Sequence, residues 1–226
     1  MAHHQSLFDD RGEAGRQLAE AIDTEEMPDP VLVALSNDGI PVAFEMARRL
    51  GLPLDLLIIQ AIAAPGDPHQ SIGMIVDGSE PHMIIDESAA LRLRPPPGYL
   101  DSERHHQLAE IERRHRMFFG EDEPADHDHM GRNVILVDDG SAPAPALLAA
   151  VHALRMMRVG SIRIALPVAA PDILAALRGE VDAIVCLATG RHLAGSGSVF
   201  AASEATSDQM AVRLLREARK LGRMIH

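Results

Sequence analysis

Asp138 and Asp139 are the residues of this chain best placed to do chemistry. They follow the apolar run Val134 to Val137, which reads as a buried parallel strand, and open α/β sheets bind ligands at the carboxyl ends of such strands. A second polar turn, Ser36-Asn37-Asp38-Gly39, follows the apolar run Val31 to Leu35 in the same way. If the two turns meet, Asn37, Asp38, Asp138 and Asp139 form an acceptor-rich site suited to a cation, a sugar hydroxyl or an amine. The acidic pair equally fits a solvated turn and helix cap. Gly140, Ser141 and Ala142 continue that turn, but the next residues, Pro143, Ala144, Pro145 and Ala146, make a poor anion cradle. The prolines have no N–H, and none of the four carries a hydroxyl.

The elements that must position these turns repeat one pattern. Val31 to Leu35 and Leu54 to Ile59 read as buried strands, with Pro41 at the first position of a helix through Leu50. Val134–Val137 leads to a helix over 146–158, Ser161–Leu166 to a helix over 172–178, and Ala183–Leu187 to a glycine-rich loop. Right-handed βαβ units of this kind imply an α/β fold: a doubly wound, mostly parallel sheet whose loops gather on one edge. Helices over 11–22 and about 207–221 flank these units. Residues 60–130 are less regular, with antiparallel pieces at 72–76 and 82–86, a break at Pro95-Pro96-Pro97-Gly98, a charged helix over 101–119 and an acidic linker from Glu121 to Asp128. We read residues 1–226 as a single domain with a small hood or insertion at about 60–130.

The chain has 226 residues, 46% hydrophobic and 24% charged, enough for a well-buried core. A net charge of −12 argues against nucleic-acid partners, because a phosphate backbone needs a concentrated basic face, and it also disfavours a highly anionic substrate. Apolar runs are strand-length and Met1 to Asp10 lacks a signal-peptide core, so no membrane association and a cytoplasmic location are expected. The lone cysteine, Cys186, lies inside an apolar run and is expected to be buried and inert.

Taken together, Asp10-Arg11-Gly12-Glu13-Ala14-Gly15, the turn at 36–42, Ile59 to Gly66, residues 72–78, the helix holding Glu110 to Arg114, the acidic-pair turn and Val185 to Thr189 resemble a bacterial branch of the type I phosphoribosyltransferase family. The resemblance covers nearly the whole chain. It implies that family's fold, a site for phosphoribosyl diphosphate (PRPP), and transfer of ribose 5-phosphate to a nitrogen nucleophile with loss of diphosphate. It assigns ribose hydroxyls and a magnesium ion to Asp138 and Asp139, diphosphate to the loop at Asn37, Asp38 and Gly39, and the 5′-phosphate to the loop Pro143, Ala144, Pro145 and Ala146, with Gly140, Ser141 and Ala142 in the same remnant site.

Departures from the family pattern fall on those loops. Pro143 to Ala146 replace a threonine- and glycine-bearing phosphate loop, Asn37 stands for an arginine, Asp38 for a glycine, and Gln60-Ala61 for an arginine-lysine pair. Gly197 to Ala202 stand where a tyrosine, aspartate and phenylalanine cluster is usual. The expectation is therefore a family scaffold with a degenerate PRPP site, weakly active or non-catalytic, serving as a regulatory or interaction protein. Homodimers, or heteromers with an active paralogue, are the implied assemblies. An active transferase with compensating residues, or the same fold holding a different phosphorylated or sugar ligand, are the alternatives.

Other polar residues carry weaker signals. Among the twelve histidines, Asp126-His127-Asp128-His129 and His105-His106 have ligand types suited to zinc or nickel, but the spacing fits a solvated surface better. Gly195 to Ser198 reads as a flexible loop, since Ala194 stands where a nucleophile elbow needs glycine. Arg113, Arg114 and Arg116 fit a solvated helix face with Glu–Arg pairs, and Met156 and Met157 fit core or a dimer face.

Overall fold

The computed structural model describes residues 6–78, 81–120, 129–190 and 199–225. The chain divides into two compact units, Met1–Leu56 with His129–His226, and Leu57–Asp128.

Asp10 starts the first unit's opening helix, α1 (Arg11–Ala21): its carboxylate accepts the Glu13 N–H at 2.7 Å, while Glu13 Oε2 accepts the Asp9 N–H at 2.6 Å. Side chains thus meet donors that the first turn leaves open. Strand β1 (Pro30–Ala34), helix α2 (Gly39–Leu50) and strand β2 (Leu54–Leu56) follow. Helix α2 begins earlier than the proline pattern implies. Ser36 Oγ accepts the Gly39 N–H and the Ser36 carbonyl accepts the Ile40 N–H, so the turn rolls straight into the helix and Pro41 falls in its interior first turn. Helices α1 and α2 cross closely at Gly15, where a Cβ would lie 2.3 Å from the Val42 carbonyl oxygen.

The strand expected over Leu54 to Ile59 ends at Leu56, because the chain there leaves the first unit. In the second unit, β3 (Ile59–Ala64), β4 (Asp67–Val76) and β5 (His82–Ile85) form an antiparallel three-stranded sheet in sequence order. Helix α3 (Glu87–Leu93) was not legible from periodicity: it is short, Leu91 is 77% exposed, and only Ala89 is buried. Helix α4 (Tyr99–Phe119) is tied to the sheet by the Tyr99 hydroxyl, which donates to the Ala63 carbonyl at 3.0 Å.

Returning to the first unit, β6 (Asn133–Val137), α5 (Ala144–Met156), β7 (Ser161–Ala169), α6 (Pro171–Leu177), β8 (Ala183–Thr189) and α7 (Asp208–Ile225) complete the order. The five strands pair in parallel as β2-β1-β6-β7-β8. From β1 the chain steps to β2 on one side, and from β6 it steps to β7 and β8 on the other. Right-handed crossovers therefore place α2 on one face and α5 and α6 on the opposite one. The direction of winding reverses between β1 and β6, and the crevice at such a switch point is where doubly wound sheets hold ligands. Val31 to Ala34 and Val134 to Val137 are buried on both faces, as strands of a covered parallel sheet must be.

Two core expectations change. Met156 is 51% exposed at the end of α5, with Leu147, Ala150, Val151 and Leu154 supplying that helix's buried face instead. Cys186 is half-buried, because β8 is the outermost strand of its sheet. Its thiol donates to the Ala188 carbonyl at 3.1 Å, and burial pushes its pKa up, which keeps it protonated. Among the described residues no helix is long and apolar enough to cross a membrane.

Candidate functional site

Strand register brings the two polar turns together. Ala34 pairs with Val137, and the Leu35 N–H donates to the Val137 carbonyl at 3.0 Å, so the chain leaves β1 and β6 side by side. Ser36 then lies against Asp138, and its hydroxyl donates to Asp138 Oδ2 at 2.9 Å. Gly39 fits beneath them, since a Cβ there would sit 3.0 Å from the Val137 carbonyl oxygen.

The acidic pair is buried rather than solvated, with Asp138 0% and Asp139 1% exposed. Asp138 Oδ1 accepts the Gly140 and Ala142 N–H groups at 2.9 and 3.0 Å, and Asp139 Oδ1 accepts the Ser141 N–H at 3.0 Å. Gly140 has φ +90° and packs its backbone against Val168, whose carbonyl oxygen would lie 2.5 Å from any Cβ. Only glycine makes this turn without strain. Burial, and after it the neighbouring Asp139 charge, push the Asp138 carboxyl up to about 6, against the pull of the Ala142, Ser36 and Gly140 hydrogen bonds.

Arg11 is the functional-site residue that its sequence position did not reveal. It is 5% exposed, and its Nε donates to Asp139 Oδ2 at 3.0 Å while Nη2 stands 3.3 Å from Asp38 Oδ1. Nη1 donates to the Glu204 carbonyl at 2.8 Å, and the guanidinium carbon lies 5.1 Å from the Phe200 ring centre. The available signal was an arginine immediately after the Asp10 cap, at the first position of α1, where a charge is neither demanded nor favoured by the helix. Its partners are distant in sequence, so spacing could not expose the cluster.

Residues 199–208 run across the same edge. The Leu7 and Phe8 N–H groups donate to the Val199 carbonyl, and the Ala201 and Ala202 N–H groups donate to the Phe8 and Asp9 carbonyls, at 2.9 to 3.0 Å. Phe200 packs with Phe8, Ala14, Val168 and Val199. The Thr206 N–H donates to Asp38 Oδ1 at 2.6 Å, and Asn37 Nδ2 donates to Asp208 Oδ1 at 2.7 Å.

Of the four residues expected to share a pocket, Asp38 and Asp139 meet through Arg11 and Asp138 adjoins them through Ser36. Asn37 directs its amide to Asp208 at the start of α7. Within 140–147, the Gly140, Ser141 and Ala142 N–H groups serve the acidic pair, the Ala146 and Leu147 N–H groups donate to the Pro143 carbonyl, and Pro143 and Pro145 have none. What remains for an anion is the Ala144 N–H and the exposed Ser141 hydroxyl.

A magnesium ion held through Asp138 and Asp139 would share every carboxylate oxygen with a donor already in place, because each of the four accepts a hydrogen bond from Ser36, Arg11 or the turn's backbone, and the Arg11 guanidinium stands on the Asp139 side. Among the described residues no group of three or more histidine, cysteine or acidic side chains is arranged to hold a metal. His129 is buried with Nε2 3.2 Å from Asp55, and His105 is exposed on α4. Residues 126–128 and 195–198 lie outside the described residues. On α4, Arg113 pairs with Glu110 at 2.7 Å and Arg116 with Glu112 at 3.6 Å, as the Glu–Arg spacing implies.

Comparison with known proteins matches this geometry to a family. The model of the phosphoribosyl transferase domain matches residues 5–179. Two proteins from different strains of Mycobacterium tuberculosis, each provisionally named a phosphoribosyl transferase, are 32% identical over 217 residues, covering 95% of this chain and 47% of each relative. The chain thus spans about half the length of these relatives. A Thermus thermophilus protein of known crystal structure superposes with a TM-score of 0.74 at 30% identity, covering 93% of this chain and 98% of that one. With its acidic pair at the switch point of a five-stranded parallel sheet and the domain match over most of its length, the chain belongs to the type I phosphoribosyltransferase family.

Proposed function

We propose that this chain is a weakly active or non-catalytic member of its family, acting by interaction or regulation. The observation that supports the reading is the internal use of the site's polar groups. Asp139 is neutralised by Arg11, and the backbone donors of 140–147 are turned inward or missing, leaving the Ala144 N–H to face a phosphate. A bound phosphate is ordinarily cradled by several converging N–H groups and cations. Each charge-assisted hydrogen bond of that kind contributes roughly 1.5–3 kcal/mol, so losing several weakens binding by orders of magnitude. Asp38 adds repulsion: where the family expects an uncharged residue beside diphosphate, this chain places a carboxylate.

Calorimetric titration of the native protein with PRPP and magnesium, and separately with diphosphate, tests the reading. No heat at millimolar ligand from folded protein is the expected result. Micromolar PRPP binding would sink it and return an active transferase to first place.

A further inference from the structure

We infer that Arg11 is a built-in counter-ion that occupies the cation's place at the acidic pair and straps residues 199–208 over it, so that the ligand edge of the sheet is closed from within. The inference deepens the proposed loss of PRPP binding by naming what closes the site.

The chain's own charges require a cation here. Asp139 is buried with Asp138 beside it, and Asp38, its side chain 26% exposed, faces Asp139 across Arg11; burying an unpaired carboxylate is strongly unfavourable. Arg11 meets that requirement with a planar fork that reaches both carboxylates at once, which a rounded ammonium group cannot reproduce. Its third nitrogen, Nη1, donates to the Glu204 carbonyl, and its flat face lies on Phe200. The same side chain therefore neutralises the pair and fastens the segment that covers it.

The strap is continuous on either side of that fastening. Backbone bonds from Val199, Ala201 and Ala202 to residues 7–9 hold its start, and the Thr206 bond to Asp38 and the Asp208 bond to Asn37 hold its end. Asp38 thus pairs with both the latch and the strap, and Asn37 anchors the segment that leads into α7. Asn37 and Asp38, the two positions where the loop's expected arginine and glycine are replaced, both bond to the strap.

Native protein and the full-length variants R11M and R11K separate the two roles of Arg11. Manganese binding, read by water-proton relaxation with the metal alone, reports whether the cation's place is filled. Hydrogen exchange of the Ala201, Ala202 and Thr206 amides reports the strap, and exchange of the β6 amides reports the fold. We expect R11M to bind manganese at least roughly tenfold more tightly than native protein, with strap amides exchanging roughly tenfold faster or more. R11K, which keeps the charge but not the fork, should exclude manganese and still loosen the strap. Equal manganese affinity in native protein and R11M would overturn the counter-ion role. Native-like strap protection in R11M with an intact β6, or in R11K if R11M does not fold, would overturn the strap. PRPP binding by native protein alongside the expected Arg11 results would refute the proposed function alone, since neither readout uses PRPP.

Discussion

Asp138 shows how one buried carboxyl can link the site to stability. Its folded-state pKa of about 6 stands above the roughly 3.9 of an unfolded aspartate, so the folded protein holds that proton more tightly. The sign follows directly: this group's stabilising contribution is complete below about pH 4 and is lost as pH rises through about 6. Asparagine has the same shape, can still accept the Gly140 and Ala142 N–H groups, and can donate to Ser36 Oγ. We therefore expect Asp138→Asn to be more stable than native protein at pH 8, by on the order of 1–3 kcal/mol, and to lose most of that advantage at pH 4, as read by urea unfolding at both pH values. An equal difference at both would show that Asp138 does not titrate in this range.

At the scale of elements, the site depends on how closely α1 approaches α2, because α1 carries Arg11 and the turn before α2 carries Asp38. Gly15 permits that approach. Gly15→Ala gains up to about 1 kcal/mol of helix propensity, but its methyl would meet the Val42 carbonyl oxygen at 2.3 Å, and forced overpacking costs about 1–3 kcal/mol. The clash is against backbone, so it wins. Net destabilisation with faster exchange at Thr206 is the expected outcome, and a Tm at or above the native value would contradict the close crossing. The two prolines of the 140–147 turn are also an element-level matter: Pro143 and Pro145 are suited to the start of α5, where the missing N–H groups are not needed for the helix, so they carry no cost in folding.

For the whole molecule, a net charge of −12 sets the long-range field. Polyanions gain nothing from approaching it, and no mobility shift of duplex DNA or transfer RNA is expected at physiological salt; a shift that disappears with added salt would reveal a basic face the net charge hides.

The sequence by itself determined the scaffold. Apolar strand-length runs followed by amphipathic helices dictate a covered parallel sheet, because a buried strand must pair its backbone and hide both faces. The acidic pair and the prolines that follow it at the start of a helix were legible too, since both lie within one short stretch from Asp138 to Ala146. Short or exposed elements such as α3 left no periodic trace. Only the tertiary structure decided what the acidic pair does. Parallel register set Ser36 beside Asp138, and the folded chain brought Arg11 and residues 199–208 to the same edge, contacts separated by 102 to 193 positions. Local patterns encode local backbone preferences, whereas a buried charge is satisfied by whatever group the fold delivers to it, however distant along the chain.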